Sequence, residues 1–505
     1  MTNELEIRRF EALTKGKGTL EELKNKYISM YYPEINLLKK SLESKAVPET
    51  QNCICKKRLG KRKITQRDFR SGGYIIDRPG NYYFGEDIVF SAKNDNLVAI
   101  TITASNVNLD LNSRSLQGVN NATIGIFVGN QNNITIRNGL ITGFLIYGIS
   151  VLPNSNFFIL ENLFFSLIGG FTSFVTIIAA VLLAGCSNIT ISKCKIYQLV
   201  NVSEDIPNLY GLFLFNCTEF YIDQTTIAFC QSSTGSTGLF LNLCQSGKIN
   251  NCIVNRIQSQ GSLISEQIQF FTIGINVLQC SDISIDGSNV SLLSVNGGIA
   301  WGINIELSLE PFASCTVNNS NISQIFCFNG IEGSIASGMR IFNFRTVNVQ
   351  NTSVTAILAN GGIGIGFSEN ASTVNFTNCH ASHIQSTDKA IGFGYDTSRA
   401  TDDEFSISLG TVWKECIADS CEIVNTPNKG ITSGFDLFRH IGSTLKDSIS
   451  QNNQYGLLND GGVIIPPVLP NNSSKNIVQG NTFTNNTIGI FDNKGQTTYV
   501  NNTIN

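Results

Sequence analysis

Charge is scarce in this chain of 505 residues: Asp, Glu, Lys and Arg make up 14% of it, against roughly 25% in typical soluble proteins. Proline is also rare, with 10 residues. Hydrophobic content is ordinary at 42%, so uncharged polar residues fill the gap, among them 57 Asn. The shortage of charge and proline excludes a disordered chain, and the abundance of Asn and Gly excludes a mostly helical one. An all-β protein with many Asn-rich turns remains.

The charge that is present is unevenly distributed. Residues 1–70 contain 17 Lys and Arg against 9 Asp and Glu, whereas the other 435 residues contain 18 against 29. We therefore expect an N-terminal segment, 1–70, that is distinct from the domain 71–505. Within it a short helix is predicted from apolar residues at helical intervals, Leu20, Leu23, Tyr27 and Tyr31.

A basic cluster ends this N-terminal segment. Its predicted members are Lys56, Lys57, Arg58, Lys61, Arg62 and Lys63. Two interpretations stay open. The cluster is either part of a polar cap or linker at the end of the following domain, or an electrostatic anchor that contacts an acidic partner.

The rest of the chain is built from an internal repeat. Each copy begins with a small residue, usually Gly, and carries Cys or Asn at +6, apolar residues at +9 and +11, a Ser, Thr or Cys near +14 and another apolar residue at +16. Predicted copies begin at Ile100, Gly125, Gly148, Ala180, Gly211, Gly238, Gly274, Gly338 and Ile365, with weaker ones near Gly302, Ile407, Gly434 and Gly489. Their spacing varies after +16, where we expect loops.

Such short strands bury a face only when copies stack on one another. The repeat therefore predicts an all-β parallel β-helix of about 13–14 coils. A β-propeller would need hairpin turns in regular register, and Asn-Gly and Asp-Gly pairs do not recur in that way. The 25 uncharged residues 162–186 are long enough for a membrane span. They contain the copy that begins at Ala180, so we expect a buried strand there and no transmembrane segment.

The first coils carry a family resemblance. Residues 73–118, with the Pro79-Gly80-x-Tyr82 turn and the strand pair ITITASNVNLDLN, resemble right-handed parallel β-helix proteins of the pectin-lyase-like superfamily. They are most similar to repeat proteins of amoeba-infecting giant viruses and amoeba-associated bacteria. The resemblance covers roughly residues 72–505 and implies a right-handed parallel β-helix. It implies no single activity, since the superfamily includes enzymes, adhesins and structural fibres.

The cysteines are expected to stack rather than to form disulfides. Cys186, Cys217, Cys244 and Cys280 occupy +6 of successive copies, and Cys194, Cys252, Cys379 and Cys421 fall at or near +14. Stacked side chains point in parallel directions, which suits a disulfide poorly. The start of the sequence shows no apolar segment typical of a secretory signal. Free thiols in a reducing compartment at synthesis are therefore predicted; the final location stays open, and a virus particle is one option.

No assembled active site is visible in the sequence. Carboxylates that could act as general acid and base occur together at Asp402, Asp403 and Glu404, where a solvated acidic turn is the competing interpretation. His380 and His383 would lie on opposite faces of a regular strand, which disfavours a shared metal. No metal set, phosphate loop or nucleotide fingerprint is found, so neither a metal nor a cofactor is predicted.

Three functions are compatible with this sequence. The favoured one is a non-catalytic structural or adhesive β-helix, a particle or surface component that presents a face binding glycan or protein. The alternative is a polysaccharide lyase or glycoside hydrolase, with its site shared between the chains of a homotrimer. An intracellular scaffold that binds a protein is the third.

Overall fold

The chain folds as a stack of parallel strands. The computed structural model describes residues 61–69, 73–92, 97–170, 177–201, 208–260, 270–307, 313–328, 334–370, 372–395, 408–424, 431–437, 440–441, 443–459, 476–492 and 497–505. Each strand pairs in parallel with the equivalent strand of the coils before and after it. This pairing confirms the predicted parallel β-helix. The predicted N-terminal helix lies outside the described residues.

Three sheets run along the rod, and we number them in the order in which each coil visits them. Sheet 1 contains Tyr74–Ile76, Val98–Ile102, Ile124–Val128, Tyr147–Val151, Ile177–Ala184, Asn208–Phe215, Gly235–Asn242, Phe270–Leu278, Gly298–Glu306, Ser334–Phe342, Gly362–Asn370, Lys389–Tyr395, Ile431–Asp436, Tyr455–Asn459 and Ile488–Asp492. Three long strands bend from sheet 2 into sheet 3: Val107–Val119, Ile134–Thr142 and Asn156–Ser166.

The other strands of sheet 2 are Arg62–Ile64, Gly80–Phe84, Ser187–Ser192, Thr218–Asp223, Gln245–Asn250, Ser281–Asp286, Ser314–Asn318, Thr346–Gln350, Thr373–Thr377, Val412–Lys414, Thr444–Lys446, Ile477–Gln479 and Thr498–Val500. Those of sheet 3 are Ile88–Ser91, Lys195–Asn201, Thr226–Ser232, Ile253–Ser259, Asn289–Asn296, Asn321–Phe328, Ser353–Ala359, His380–Ser386, Ile417–Ile423, Ile449–Gln451, Thr482–Thr484 and Thr503–Ile504. A 3-10 helix covers Gln66–Phe69, and Ser408–Leu409 pairs separately with His440–Ile441.

Sheet 1 has 15 strands, one or two more than the predicted number of coils. At about 4.8 Å per coil this gives a rod of about 70 Å. The repeat pattern missed the coils that begin with Tyr74–Ile76, Lys389–Tyr395 and Tyr455–Asn459. The predicted copy at Ile407 is wrong, because that position lies between the sheet-1 strand Lys389–Tyr395 and the sheet-2 strand Val412–Lys414 of one coil. The additional residues at this corner lengthen the coil, so the spacing from which the repeat copies are predicted no longer holds there.

Connection length varies at two corners. From sheet 3 to the next sheet 1 it is as short as one residue, Gly297, in agreement with the predicted variation after +16. From sheet 1 to sheet 2 it is two to five residues in every coil as far as Ser281–Asp286. It lengthens in the C-terminal half, as between Gly298–Glu306 and Ser314–Asn318 and between Tyr455–Asn459 and Ile477–Gln479. The sequence pattern missed this second position of variation.

Asparagine ladders explain the unusual composition. Asn319, Asn351 and Asn378 stack at the corner between sheets 2 and 3, each with a positive φ near 50°. Asn tolerates this left-handed conformation better than most residues. The Asn351 amide Nδ2 donates to Oδ1 of Asn319 at 3.1 Å, and Asn378 Nδ2 donates to Oδ1 of Asn351 at 2.8 Å. Because an amide both donates and accepts, the same residue can repeat from coil to coil.

The small residue that opens each copy is required by close packing between coils. A Cβ added to Gly302 would lie 2.4 Å from the carbonyl oxygen of Gly338 in the next coil and 2.4 Å from Cγ2 of Ile322. Both distances are steric clashes, and the surrounding atoms cannot move away because the interior is closely packed. The Gly periodicity in the sequence is therefore steric in origin.

The +6 cysteines form the predicted ladder. Cys186, Cys217, Cys244 and Cys280 are adjacent in register and buried. The Cys217 thiol donates to the Leu183 carbonyl oxygen at 3.4 Å. Burial raises the pKa of the Cys217 thiol, so it stays protonated. All twelve cysteines of the described residues are buried and free.

The second cysteine ladder is only partly as predicted. Cys194, Cys252 and Cys379 occupy the corner between sheets 2 and 3. Cys421 does not, because it lies inside the sheet-3 strand Ile417–Ile423, and Cys416 takes the corner position instead. The inserted residues before Val412–Lys414 explain this shift as well. No helix of the described residues is long and apolar enough to cross a membrane.

Sheet 1 differs from the other two sheets because both of its faces are buried along most of the rod, although not in its first strand, Tyr74–Ile76, or its last, Ile488–Asp492. In sheets 2 and 3 buried side chains alternate with more exposed ones, as in Ser281–Asp286. Every residue of Gly235–Asn242 and of Gly298–Glu306 is buried. The inward side chains join the central core, and the outward ones form separate apolar clusters that include Phe213, Phe240 and Trp301. The continuous apolar runs of the sequence are these doubly buried strands.

Candidate functional site

The sequence-predicted site residues are only partly within the described residues. Asp402, Asp403 and Glu404 lie outside them, as do Lys56, Lys57 and Arg58 of the basic cluster. Lys61, Arg62 and Lys63 are exposed. The strand Arg62–Ile64 pairs with Gly80–Phe84 in the first coil, and Arg62 Nη1 donates to the Tyr82 hydroxyl at 2.7 Å. Both the acidic site and the basic anchor stay predictions.

The expectation for His380 and His383 is wrong in its geometry. The strand is kinked at His383, where φ is 54°, so both side chains face outward instead of lying on opposite faces. Partial burial lowers the pKa of His380, against the opposing effect of Asp419, so the imidazole is neutral near pH 7. Within the described part of the chain, no group of three or more His, Cys, Asp or Glu is arranged to hold a metal ion.

An ion pair that was not predicted from the sequence lies on the outer face of sheet 1. Arg340 Nη1 lies 2.9 Å from Glu306 Oε2 and donates to Asn304 Oδ1 at 2.9 Å. The Asn304 amide in turn donates to Asn276 Oδ1 at 2.9 Å and to Glu306 Oε2 at 3.1 Å. The Arg340 guanidinium lies 4.4 Å from the ring centre of Trp301. We call these five residues the ionic cluster.

Register assembles the ionic cluster from three coils. Asn276, Asn304 and Arg340 stack in one column, because Asn276 pairs with Asn304 and Asn304 pairs with Arg340. Side chains of Arg340 and Glu306 are 1% and 0% exposed. A charged pair so fully removed from water is closed to substrate and binds its own partners, so we assign it a structural role.

A further carboxyl group is buried on the inner side of the same sheet. Glu369 is 1% exposed and accepts a hydrogen bond from the Thr411 hydroxyl at 2.7 Å. Burial raises the pKa of Glu369 well above its usual value, which outweighs the opposing hydrogen bond. The folded protein therefore favours the protonated carboxyl group.

This raised pKa predicts that Glu369→Gln stabilises the protein at neutral pH. Below the unfolded-state pKa, near 4.3, the carboxyl is protonated in both states and the substitution has little effect. As pH rises above that value, the unfolded state gains stability by ionising, and the wild type loses stability relative to the variant. Urea unfolding at pH 4 and pH 7 measures this. A variant advantage that is equal at both pH values would contradict it.

An exposed row of aromatic rings crosses the outer face of sheet 3. Phe164, Tyr197 and Phe229 come from three successive coils, with ring centres 5.6 and 6.0 Å apart. Phe164 is 37% and Phe229 41% exposed. The Arg256 guanidinium of the next coil lies 4.6 Å from the ring centre of Phe229. We call these four residues the aromatic strip.

Uncharged polar side chains continue the aromatic strip along the rod. In the coils that follow, sheet 3 presents outward Asn255, Ser291, Ser323 and Thr355 in one column and Asn289, Asn321 and Ser353 in another. Between Ile253 and Leu358, Arg256 is the only charged residue among the outward side chains of the described sheet-3 strands. This surface offers stacking and hydrogen bonding with almost no charge. The sequence signal was the alternation of Asn, Ser and Thr with apolar residues.

No protein-family model matches this chain, and no curated protein matches it. Similar solved structures include the tailspike protein of E. coli bacteriophage HK620 in complex with a pentasaccharide, 12% identical, covering 87% of this chain and 78% of the tailspike chain at a TM-score of 0.49. The A-module of the Azotobacter vinelandii mannuronan C-5 epimerase AlgE4 is 10% identical, with coverage of 83% and 91% and a TM-score of 0.36.

A third similar structure is the periplasmic alginate epimerase AlgG, 11% identical, with coverage of 73% of this chain and 84% of that one at a TM-score of 0.37. At these identities the likeness concerns the architecture alone. The parallel β-helix that the resemblance of the first coils implies is present in the strand pairing, and membership of the pectin-lyase-like superfamily stays a prediction. The narrower link to giant-virus and amoeba-associated proteins stays a prediction.

Proposed function

We propose that this protein is a non-catalytic rod that binds glycans through the outer face of sheet 3. The observation that carries this proposal is the aromatic strip, in which Phe164 and Phe229 are exposed and Tyr197 is half-buried, although apolar rings are normally buried. Exposed apolar patches bordered by polar groups mark binding surfaces. The faces of sugar rings pack on aromatic rings, and sugar hydroxyls pair with amide and hydroxyl side chains such as those beyond Arg256.

The repeat of the coils favours a linear ligand of low charge. Equivalent side chains of sheet 3 recur about every 4.8 Å along the rod. A polysaccharide chain laid along the axis would meet Tyr197 and Phe229 first and then the columns of Asn, Ser and Thr. Lys195, in register with Phe164, and Arg256 are the only charged residues of the described sheet-3 strands from Lys195 to Leu358, so a glycan of low charge fits this surface better than a strongly charged one.

The wider context of this rod is also a proposal. Resemblance of the first coils to giant-virus repeat proteins supports a particle or surface component. The basic cluster, of which Arg62 and Lys63 belong to the strand that precedes the first coil and pairs with it, would anchor the rod to an acidic partner. Association into a homotrimer would present three copies of the aromatic strip and raise avidity.

Replacing two rings of the aromatic strip, Tyr197→Ala with Phe229→Ala, is expected to weaken glycan binding at least about tenfold. Each ring contributes on the order of 1 kcal/mol of stacking, and about 1.4 kcal/mol corresponds to a factor of ten. Retention on a panel of neutral and acidic polysaccharides measures this, with product masses recorded in parallel.

Tyr221→Ala is the matched control, because this ring is 38% exposed on the neighbouring sheet 2. Its retention should equal that of the wild type. Unchanged retention of glycan by the Tyr197 and Phe229 double variant would refute the aromatic strip as the binding surface. New oligosaccharide products from the wild type would instead favour the lyase or hydrolase alternative and redirect attention to Asp402, Asp403 and Glu404.

A further inference from the structure

The outer face of sheet 1 is buried along most of the rod. Its central column comprises one outward side chain per coil over nine coils: Phe127, Ser150, Leu182, Phe213, Phe240, Asn276, Asn304, Arg340 and Ser368. Each of them is no more than 7% exposed. In a three-sheet solenoid the outward side chains of a sheet meet solvent unless something lies on them, so this face is covered.

The cover is not one of the described strands. Extensive contacts of the sheet-1 strands are with their neighbours in the sheet and with strands of sheet 3 across the core. The connections of a coil are also too short in places. The coil of Phe240 is joined by two residues on each side, 233–234 and 243–244, and that of Ser368 by 360–361 and 371–372. The cover of these two side chains must come from outside their own coils.

We propose that residues 1–60 of the same chain lie along the outer face of sheet 1. The nine coils span about 38 Å at 4.8 Å per coil, a length that about 26 helical residues cover at 1.5 Å each. Sixty residues precede Lys61, so the length suffices. The predicted helix carries Leu20, Leu23, Tyr27 and Tyr31 on one side, and an apolar stripe of this kind suits a groove lined by apolar rings.

The side chains on the outer face of sheet 1 are of a kind that would bind the apolar side of residues 1–60. Over the N-terminal coils the outward clusters are apolar and contain stacked rings, with Tyr210, Phe213 and Phe240 about 5 Å apart. Farther along, the charges are paired within the face: Arg340 with Glu306 at 2.9 Å, and Lys389 with Asp436 at 2.7 Å. The outer face of sheet 1 is therefore complementary to an apolar, uncharged surface. The apolar side of the predicted helix in residues 1–60 provides such a surface.

The proposal is tested by cleaving the folded, full-length chain between residues 1–60 and the solenoid, so that both parts remain in the sample. A recognition sequence for a specific protease is placed between Gly60 and Lys61, and the cleaved protein is passed through a size-exclusion column. We expect fragment 1–60 to elute together with the solenoid. Hydroxyl-radical footprinting should show Tyr210 and Phe240 protected both before and after cleavage. Elution of fragment 1–60 apart from the solenoid, with these rings still protected, would overturn the proposal and assign the cover to the longer connections between coils.

Variants on the segment avoid damage to the solenoid itself. Leu23→Asp with Tyr27→Asp is expected to release fragment 1–60 after cleavage and to raise labelling of Tyr210 at least about threefold, since two buried apolar contacts are lost. Asn25→Asp with Ser29→Asp lies on the opposite side of the predicted helix and should leave the fragment bound. Equal retention of the two variants would refute docking through the apolar stripe. None of these outcomes depends on glycan binding at the aromatic strip.

Discussion

Arg340→Ala is expected to lower the free energy of unfolding by about 3–5 kcal/mol, the range measured when one partner of a buried ion pair is removed. The variant leaves Glu306, 0% exposed, with a carboxylate that has lost its counter-charge at 2.9 Å. Asn304 also loses the hydrogen bond that its Oδ1 accepts from Arg340. Water cannot replace the guanidinium without opening the outer face of sheet 1. Guanidinium chloride unfolding, followed by circular dichroism, measures the loss.

A second ion pair provides the matched control. Arg137 Nε lies 3.1 Å from Asp110 Oδ2, but their side chains are 38% and 27% exposed. Arg137→Ala should cost less than about 1 kcal/mol, because solvent screens the pair and hydrates Asp110 once the guanidinium is gone, and Asp110 keeps its hydrogen bond from Asn138 Nδ2. Replacing Arg340 by Met and Glu306 by Leu together should recover much of the loss, since no charge is left buried. Equal losses for Arg340→Ala and Arg137→Ala would contradict a closed ionic cluster.

The sequence predicts those features of the solenoid that repeat at a fixed place in every coil. The Gly column at Gly302 and Gly338, the thiol ladder at Cys217 and the Asn ladder at Asn351 each arise from one steric or hydrogen-bonding requirement that every coil meets in the same way. A requirement that recurs in register leaves a periodic signal in the sequence, so architecture and strand positions were recoverable. The extra coils were missed where this signal weakens, as at Tyr455–Asn459.

Features made by unequal spacing could not be predicted in this way. Asn276, Asn304 and Arg340 are 28 and 36 residues apart and meet only because the intervening connections differ in length. A count of residues from the repeat start goes wrong once an insertion falls at the sheet-1 corner, as happened at Ile407 and Cys421. A signal for the ionic cluster did exist: Glu306 and Arg340 are the single charged residues of strands that are otherwise uncharged and mostly apolar. A charged residue in a buried strand is tolerated only when it is paired with a partner, so its presence in such a strand indicates a buried ion pair.

Phe393→Ala is expected to destabilise the C-terminal half of the rod by about 3–5 kcal/mol, as for other buried aromatic residues truncated to Ala. The Phe393 ring is 0% exposed and stacks between Phe367 at 4.8 Å and Phe435 at 5.2 Å, one ring in each adjacent coil. Its edge contact with Phe376 at 5.9 Å would also be lost. The cavity would therefore weaken three consecutive coils at once.

Because each coil of a solenoid contacts only its neighbours, the damage should be local as well as large. Hydrogen exchange of the variant should rise from Gly362–Asn370 onward, while Ile124–Val128 keeps the protection of the wild type. Phe229→Ala removes an equally large ring that is 41% exposed on sheet 3, and it should cost less than about 1 kcal/mol. Uniform loss of protection along the whole rod would mean that the coils unfold as one unit, and the nearest-neighbour account of this protein's stability would then fail.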